Sequence, residues 1–380
     1  MPAPPMLMEP ERPDDRAGRP LVAPFIQRRQ DTERGRCYPW VATCAILSLC
    51  VFSHWLKRRG TRTDSSDLMS QDQTKHLRIG HSPDPDDAFM WYPLADLGGE
   101  GPKIDTRPYR FEHVLEDIET LNRRAERAEL EITALSMHQY AYVADKYLLT
   151  SCGSSMGDGY GPMIVAAENF ELRRLITPLD TPEPKKRQRP KLAVPGVRTT
   201  ATLAMLLMMS EELGVKPGAD KTVNHYEVPF DQIIARVASG EFDAGLIIHE
   251  GQLTYADAGL VCLVDLGQWW KQTRGLPLPL GGNAIRRDLA DEAEAITTIL
   301  YESIRYALDH RQEAVDYAMA YARDMGQELA DRFVGMYVND YTLDYGDIGR
   351  AAVERLLADG AEASILPPID HLDFAHPTPT

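Results

Sequence analysis

Short apolar runs alternate with helix-like segments from residue 77 onward, and this alternation restricts the fold more than any other feature. The runs "LRIGHS", "LEITALS", "KLAVPG" and "FDAGLIIHE" have the length and composition of buried strands, and a helical pattern follows each of them. Such βα repetition predicts an α/β fold with mostly parallel sheets covered by helices. After residue 284 the pattern becomes almost wholly helical.

Charge and cysteine content narrow the class of function. The formal net charge is −16 over 380 residues, which disfavours a nucleic-acid partner because phosphate binding requires concentrated positive charge. The five cysteines show no CxxC pair and no Cys/His spacing suited to a metal, as in proteins of reducing compartments. These features predict a cytoplasmic protein that acts on a small molecule, and they give no indication of its oligomeric state.

The first 75 residues look unlike the rest of the chain. Residues 1–36 are rich in Pro, Arg and Asp, which predicts disorder. Residues 37–56 are apolar and uncharged, and they are about long enough to span a bilayer. Ser, Thr, His and Pro weaken that prediction, and a long polar stretch precedes the segment, unlike in a signal peptide. The segment is either a membrane anchor or part of an extension with no role in the fold, and the folded body begins near His76.

Ligands of open α/β sheets bind where strands end and helices begin, so these junctions are the candidate sites. The first junction, "HSPDPDDAF", contains three aspartates. Asp84 or Ser82 can cap the helix, and the charges of Asp86 and Asp87 complement its dipole. We therefore favour a role in starting the helix over a metal site for these carboxylates, and we expect His81 and Ser82 to face a ligand.

The second and third junctions carry hydroxyl groups. In "ITALSMHQY", Ser136 either caps the following helix or faces a ligand, and we expect His138 to be packed or on the surface. In "LAVPGVRTTATLAMLL" the helix opens at Thr199-Thr200-Ala201. Its free backbone N–H groups and two hydroxyls suit a ligand carboxylate, although a threonine N-cap alone also explains the sequence.

The fourth junction presents a histidine. Residues 244–248 read as a buried strand that ends in His249 and Glu250. A neutral imidazole at the carboxyl end of a strand is suited to act as a general base, the alternative being a histidine packed in the core. Glu250 either orients His249 or has a structural role. No GxSxG, P-loop, HExxH or strand-linked GxGxxG motif occurs, so we expect neither a nucleotide cofactor nor a metal.

Several blocks, taken together, resemble a known family. They are "HSPDPDDAFMWY", "HQYAYVADKYLLTSCGSSMGDGYGPMIVA", "LAVPGVRTTATLAMLL", "FDAGLIIHEGQLTYADAGL", "DLGQWWKQTRGLPLPLGGNAIRRDL" and "YVNDYTLDYG". In this order they resemble the 1,4-dihydroxy-6-naphthoate synthase family of the futalosine route to menaquinone, from residue 77 to residue 366. Residues 1–75 and the Pro/Lys-rich segment 177–190, which we interpret as a surface loop, fall outside the resemblance.

The resemblance implies a type-II periplasmic-binding-protein-like fold, in which two α/β lobes face a cleft and the chain crosses between them twice. Mapped onto this sequence, the crossings fall near residues 161–167 and 279–287. The large lobe then comprises residues 76–165 and 281–372, and the small lobe comprises residues 166–280.

The resemblance also implies a lyase that converts cyclic dehypoxanthinyl futalosine to 1,4-dihydroxy-6-naphthoate without a metal or organic cofactor. The matching histidine, His249, would take a proton so that the sugar-derived portion is eliminated and the ring becomes aromatic. The matching substrate-binding positions are Thr199, Thr200, Ala201, Leu135, Ser136, Met137 and Ser82.

The first junction departs from the family pattern, and two other functions remain open. Asp84, Asp86 and Ala88 stand where the family has Cys, Asn and Thr, which leaves the role of Asp86 unassigned. A chorismate dehydratase of the same pathway is one alternative, although that family lacks the "IIHEG" block. A solute-binding protein without chemistry is the other, although the chain shows no ordinary signal sequence.

Overall fold

The computed structural model describes residues 74–176, 190–215, 223–323 and 325–378. The predicted disordered extension, the apolar segment 37–56 and residues 177–189 of the predicted surface loop lie outside these ranges. Within the described ranges, no helix is both long enough and apolar enough to cross a membrane.

Two sheets form the framework. The first has seven strands in the order β12-β4-β11-β3-β1-β2, with β5 beside β11, and the second has five in the order β10-β6-β9-β7-β8. The strands of the first sheet are β1 Lys75–His81, β2 Tyr109–Leu115, β3 Ile132–Ser136, β4 Tyr147–Thr150, β5 Ser155–Gly157, β11 Leu278–Arg286 and β12 Phe374–Ala375. Those of the second are β6 Met163–Ala166, β7 Leu192–Val194, β8 His225–Glu227, β9 Ala244–Ile247 and β10 Val261–Asp265.

Both sheets are mixed, so the expectation of mostly parallel sheets was wrong. Strand β1 runs parallel to β2 and β3, and β7 runs parallel to β8 and β9. The strands that enter each sheet from the other sheet run antiparallel to their neighbours: β6 to β9 and β10, and β11 to β3, β4 and β5. Each begins at the carboxyl end of a parallel strand beside it and therefore runs back along that strand in the antiparallel direction.

The positions of β6 and β11 show where the chain passes between the sheets. Strand β6 begins at Met163 in the second sheet, three residues before the predicted start of the small lobe at 166. Strand β11 begins at Leu278 in the first sheet, three residues before the predicted return at 281. Both passages overlap the ranges predicted for the crossings.

Twelve α-helices surround the sheets in the described part of the chain. They are α1 Pro85–Trp91, α2 Ile118–Glu126, α3 Met137–Val143, α4 Thr200–Leu213, α5 Phe230–Ala238, α6 Gly251–Thr254, α7 Leu266–Arg274, α8 Ala293–Asp309, α9 Arg311–Ala318, α10 Gln327–Tyr337, α11 Asp340–Leu343 and α12 Gly346–Glu362. Short 3₁₀ segments occupy Tyr92–Leu94, Leu172–Leu175, Tyr255–Ala258, Arg287–Glu292 and Met319–Tyr321.

Helix α4 illustrates how the sequence sets the boundaries of an element. The Thr199 side chain accepts a hydrogen bond from the Thr202 N–H at the start, and Gly214 ends the helix with a left-handed φ of 68°. Nearly the whole of "TATLAMLLMM" is buried, and these residues share one core cluster with residues of both sheets, among them Leu135 and Val194. Helix α4 therefore packs in a hydrophobic core cluster that residues of both sheets share.

Candidate active site

A cavity of about 730 Å³, partly open to solvent, is lined from both sheets. The parts of the chain that line it are mainly the ends of strands and the starts of the following helices. Its walls include Ser82, Asp86, Asp87, Leu135, Ser136, Ser155, Thr199, Thr200, Ala201, Ile248, His249, Gln252, Leu280, Gly281, Gly282, Asn283 and Tyr337. The four junctions singled out in the sequence thus meet at one cavity.

Most residues with a predicted role lie in these walls, but two do not. Met137 is completely buried in the core cluster and is absent from the cavity lining. His81 was expected to face a ligand, and this was wrong. It is buried, and its Nε2 lies 2.9 Å from Nδ1 of His113 on the neighbouring strand. Burial lowers the pKa of both histidines to about 4, so this pair is neutral and structural.

His249 stands two residues beyond the end of β9, in an unusual backbone conformation. Its φ is +52°, in the left-handed region that residues with a Cβ seldom occupy. Its ring packs against the ring of Phe230, with 4.7 Å between centroids. Backbone strain that the surrounding structure maintains is typical of functional sites. The conformation places a histidine in the cavity wall with 18% of its side chain exposed.

The carboxylate of Asp84 lies beside His249 instead of capping α1. Asp84 is at the N-cap position, but its side chain makes no capping hydrogen bond and is fully buried. Its Oδ2 lies 3.2 Å from Nδ1 of His249, and its Oδ1 accepts from Nη2 of Arg323 at 3.0 Å. The helix-start interpretation was therefore wrong for this side chain, because a cation distant in sequence binds it.

Arg323 ties several charged groups together behind His249. It pairs with Glu250 as well as with Asp84, and its guanidinium lies over the Phe230 ring, 4.6 Å from the centroid. The planar fork of an arginine can bridge two carboxylates in this way, whereas a lysine acts as a single point charge. Glu250 therefore holds Arg323, and Arg323 holds Asp84 against the imidazole.

The neighbouring carboxylate defines how His249 can work. An ionised carboxylate only accepts hydrogen bonds, so a contact between Asp84 and Nδ1 favours the imidazole tautomer that has its proton on Nδ1. Among the described residues, Oδ2 of Asp84 has no aligned hydrogen-bond donor, although Nδ1 is within reach.

Asp86 and Asp87 both line the cavity, but their surroundings differ. The backbone N–H and Oγ of Ser82 both donate to Oδ2 of Asp87, at 2.7 and 2.9 Å. Burial raises the pKa of Asp87 to about 6, while the two Ser82 bonds oppose the rise. Burial raises the pKa of Asp86 well above its usual value, and the charges of Asp87 and Asp84 add to this effect. No group of three His, Cys, Asp or Glu residues in the described ranges is arranged to hold a metal ion.

The side chains of the turn before α4 bond both within the turn and to other elements, and Oγ1 of Thr200 donates to the Leu280 carbonyl. Oγ1 of Thr199 donates to the carbonyl of Gly196 at 2.9 Å and accepts from the Thr202 N–H at 3.3 Å. The N–H groups of Thr200 and Ala201 belong to the first helical turn, so they have no intrahelical acceptor. His138 was expected to be packed or exposed, and it is packed: Nδ1 donates to the Thr199 carbonyl at 3.1 Å. The turn therefore presents two backbone donors on a rigid base.

Comparison with known proteins assigns the chain to a family. Residues 77–362 match the family described as "Menaquinone biosynthesis". The chain belongs to this family. It is 39% identical to the 1,4-dihydroxy-6-naphthoate synthase of Thermus thermophilus over 77% of this chain and 96% of the relative. It is 34% identical to the enzyme of the same name from Streptomyces coelicolor, over 79% and 98%.

Solved structures support the fold of this family member. A protein from Archaeoglobus fulgidus is similar, with a TM-score of 0.65 and 44% identity over 77% of this chain and 98% of that one. A Candida albicans protein described as having the generic periplasmic binding protein fold gives a TM-score of 0.54 at 15% identity, over 78% and 92%. The prediction of a two-lobe periplasmic-binding-protein-like fold is confirmed.

Several site residues of this family member were missed from the sequence. Arg323 and Tyr337 lie in the helical C-terminal part, where periodicity reports packing and no motif marks a site. Gln252, whose Oε1 accepts from the Tyr337 hydroxyl at 2.9 Å, directly follows the "IIHEG" block. Asn283 ends the "GLPLPLGGN" run and lies within strand β11. Sequence reasoning that considered only the junctions between strands and helices could not identify a residue inside this strand.

Proposed function

We propose that the protein is a lyase that converts cyclic dehypoxanthinyl futalosine to 1,4-dihydroxy-6-naphthoate, with His249 as the general base. The observation that carries the proposal is the position of His249 in the cavity wall, with its Nδ1 3.2 Å from the buried carboxylate of Asp84. The names of the two relatives supply the reaction class.

In the proposed reaction Nε2 of His249 accepts a proton from the substrate. The electrons of the broken bond enter the ring system, the sugar-derived portion leaves with its bonding pair, and the ring becomes aromatic. Aromatisation provides the driving force, so the enzyme needs a placed base and an oriented substrate. The Asp84 carboxylate would hold the ring in the productive tautomer and stabilise the imidazolium that forms, as the acid does in a Ser-His-Asp triad.

The same cavity offers a binding mode for a planar acid. The backbone donors of Thr200 and Ala201, at the positive end of the α4 dipole, suit the carboxylate that the name naphthoate implies. Leu135, Ile248 and Leu280 provide apolar surface in the cavity walls. Ser82 and Ser136 would contact polar atoms of the substrate.

Turnover of the substrate tests the proposal directly. The purified protein is incubated with cyclic dehypoxanthinyl futalosine, and the naphthoate is detected by absorbance and mass, with chorismate in a parallel reaction. We expect the naphthoate from the first substrate and no product from chorismate. If neither is converted and an amino acid or oxyanion binds tightly and reversibly, the protein is a solute-binding protein and the proposal is wrong.

A further inference from the structure

Asp86 is a cavity-lining carboxyl group with an unsatisfied oxygen. The residue is 6% exposed, and its Oδ1 has no hydrogen-bond partner among the described residues. Backbone N–H groups of Asp86 and Asp87 also act on this carboxyl and oppose the rise in its pKa, but burial outweighs them and Oδ1 stays without a partner in the described part of the chain. Burying an ionised carboxylate with incomplete hydrogen bonding is costly, and such groups usually reduce the cost by binding a proton. Oδ1 of Asp86 therefore needs either a hydrogen-bond donor from a ligand or a proton of its own.

The other carboxylates of the turn already have partners. Asp84 has Arg323, and Asp87 has the N–H and hydroxyl of Ser82. The strongest charges acting on Asp86 are these two carboxylates, both of which favour its neutral form.

Charged and titratable groups on other elements do not reverse the preference of Asp86 for its neutral form. Tyr337 of α10 interacts with Asp86, and its hydroxyl already donates to Gln252. His249, beyond β9, acts on Asp87 and lies against Asp84. The surroundings of Asp86 thus favour the protonated form of its carboxyl group.

We propose that Asp86 faces the substrate as a neutral carboxylic acid and donates a hydrogen bond to a substrate oxygen that gains negative charge during the reaction. The inference rests on the proposed function for the identity of that substrate. The proton stays on Asp86, so the step transfers no atom. A carboxylic acid kept neutral by a poorly solvated site can donate in this way near neutral pH.

A consequence is that activity depends on pH through a group other than the base. When Asp86 ionises at high pH it loses its donor and places a negative charge against an acidic substrate. An asparagine has nearly the same shape and keeps an N–H donor, but it cannot ionise. Asp86→Asn should therefore replace a pH-dependent contact with a pH-independent one, whereas Asp86→Ala removes the contact.

The first test measures kcat/KM against pH for the wild type, Asp86→Asn and Asp86→Ala, with the exposed Asp96→Asn as a control. We expect Asp86→Asn to match the wild type within a few-fold at the acidic end and to lack part of the decline at high pH. Asp86→Ala should lose about 10- to 100-fold where the wild type keeps the proton on Asp86, the range for a hydrogen bond to a charged group, and this loss should shrink toward high pH. An unchanged decline in Asp86→Asn, or full activity in Asp86→Ala, would overturn the proposal.

The second test does not use activity. A carboxyl whose pKa is raised in the folded state stabilises the fold below its unfolded value, near 3.8, and loses this contribution as pH rises toward the folded value. The melting temperature of Asp86→Asn should therefore increase relative to the wild type as pH rises from about 4, while Asp96→Asn shows no such trend. A constant difference across this range would contradict a protonated Asp86.

A third measurement uses the unmutated protein, which covers the case in which a variant does not fold. With ¹³C at the aspartate side-chain carboxyls, the resonances of Asp86 and Asp87 should both titrate above the usual acidic range, and one of the two should be absent from Asp86→Asn if that variant folds. If fewer than two carboxyls titrate above that range, the proposal fails. If both high resonances are present but no naphthoate forms, the proposed function fails and the protonated Asp86 stands.

Discussion

The turn before α1 and the turn before α4 have the same place in the fold, yet one carries ionisable carboxyl groups and the other carries neutral hydroxyl groups. Each follows a strand and opens a helix at the cavity. At the α4 turn, Thr199 bonds to Gly196 and Thr202, its own near neighbours. At the α1 turn, Asp84 makes no capping bond and instead contacts Arg323 and His249, which are far away in sequence.

The difference indicates a division of roles. At the α4 turn the hydroxyls of Thr199 and Thr200 donate to backbone carbonyls, which leaves backbone N–H donors to hold a substrate carboxylate. A turn whose carboxylates depend on partners from other elements responds to those partners, and so it can orient a base. The residues that suggest a simple helix start at the α1 turn are therefore the ones most closely connected to the proposed chemistry.

Replacing Asp84 with asparagine should give the largest effect. Asparagine caps a helix as well as aspartate does, so α1 should form normally. Its amide can donate to Nδ1 of His249, which would move the imidazole proton to Nε2 and disable the base. A carboxylate-to-amide change in a His–Asp pair lowers kcat by up to about 10⁴-fold, and we expect a loss of at least about 10²-fold in steady-state kinetics.

Asp84→Ala is the matched variant for this prediction. It removes the carboxylate without adding a competing donor, so its kcat should fall less than that of Asp84→Asn. Wild-type kcat in Asp84→Asn would show that the contact with His249 has no part in turnover, and the contrast between the two turns would lose its functional meaning.

Replacing Arg323 with glutamine should give an intermediate effect. The change removes the charged hydrogen bond to Asp84, and such bonds are worth about 1.5–3 kcal/mol, or about 10- to 100-fold in rate. We expect kcat to fall more than KM rises, because the variant misplaces the base and leaves the binding turn intact. Arg323→Lys should recover little, since one ammonium cannot bridge Asp84 and Glu250. Full recovery with lysine would reduce the role of Arg323 to that of a simple charge.

Replacing Thr199 with alanine should give the smallest effect. The loss of an N-cap hydrogen bond costs about 1 kcal/mol of unfolding free energy, which denaturant titration can measure. KM should rise modestly while kcat changes little. Thr199→Ser keeps the cap and should remain close to the wild type in both properties. A kcat loss comparable with that of Asp84→Asn would show that the α4 turn also takes part in chemistry.

The sequence was sufficient to predict features that depend on local patterns. The βα alternation identified strands β1, β3, β7 and β9 but not β2, β4 or β10, Thr199 marked a helix start, and the end of an apolar strand marked His249. Local patterns could not predict that half of the strand pairings would be antiparallel. The direction of β6 and β11 is set by the passage of the chain between sheets. The amino-acid sequence of a strand does not determine in which direction it runs relative to its neighbours.

The same limit applies to the site. His81 and Ser82 are adjacent, but His81 is the last residue of β1 and packs against His113, whereas Ser82 follows the strand and reaches the cavity. The role of Asp84 depends on Arg323, 239 residues away. A capping aspartate and an aspartate that orients a distant histidine have the same local sequence, so only the tertiary structure distinguishes them.

The most direct test of the central claim is turnover and substrate binding by His249→Ala, measured on the same preparation. If His249 is the general base, turnover should fall by about 10²- to 10⁴-fold while cyclic dehypoxanthinyl futalosine still binds with near wild-type affinity. Turnover within about tenfold of the wild type would show that another group removes the proton, and the account of the site built around His249 would be wrong.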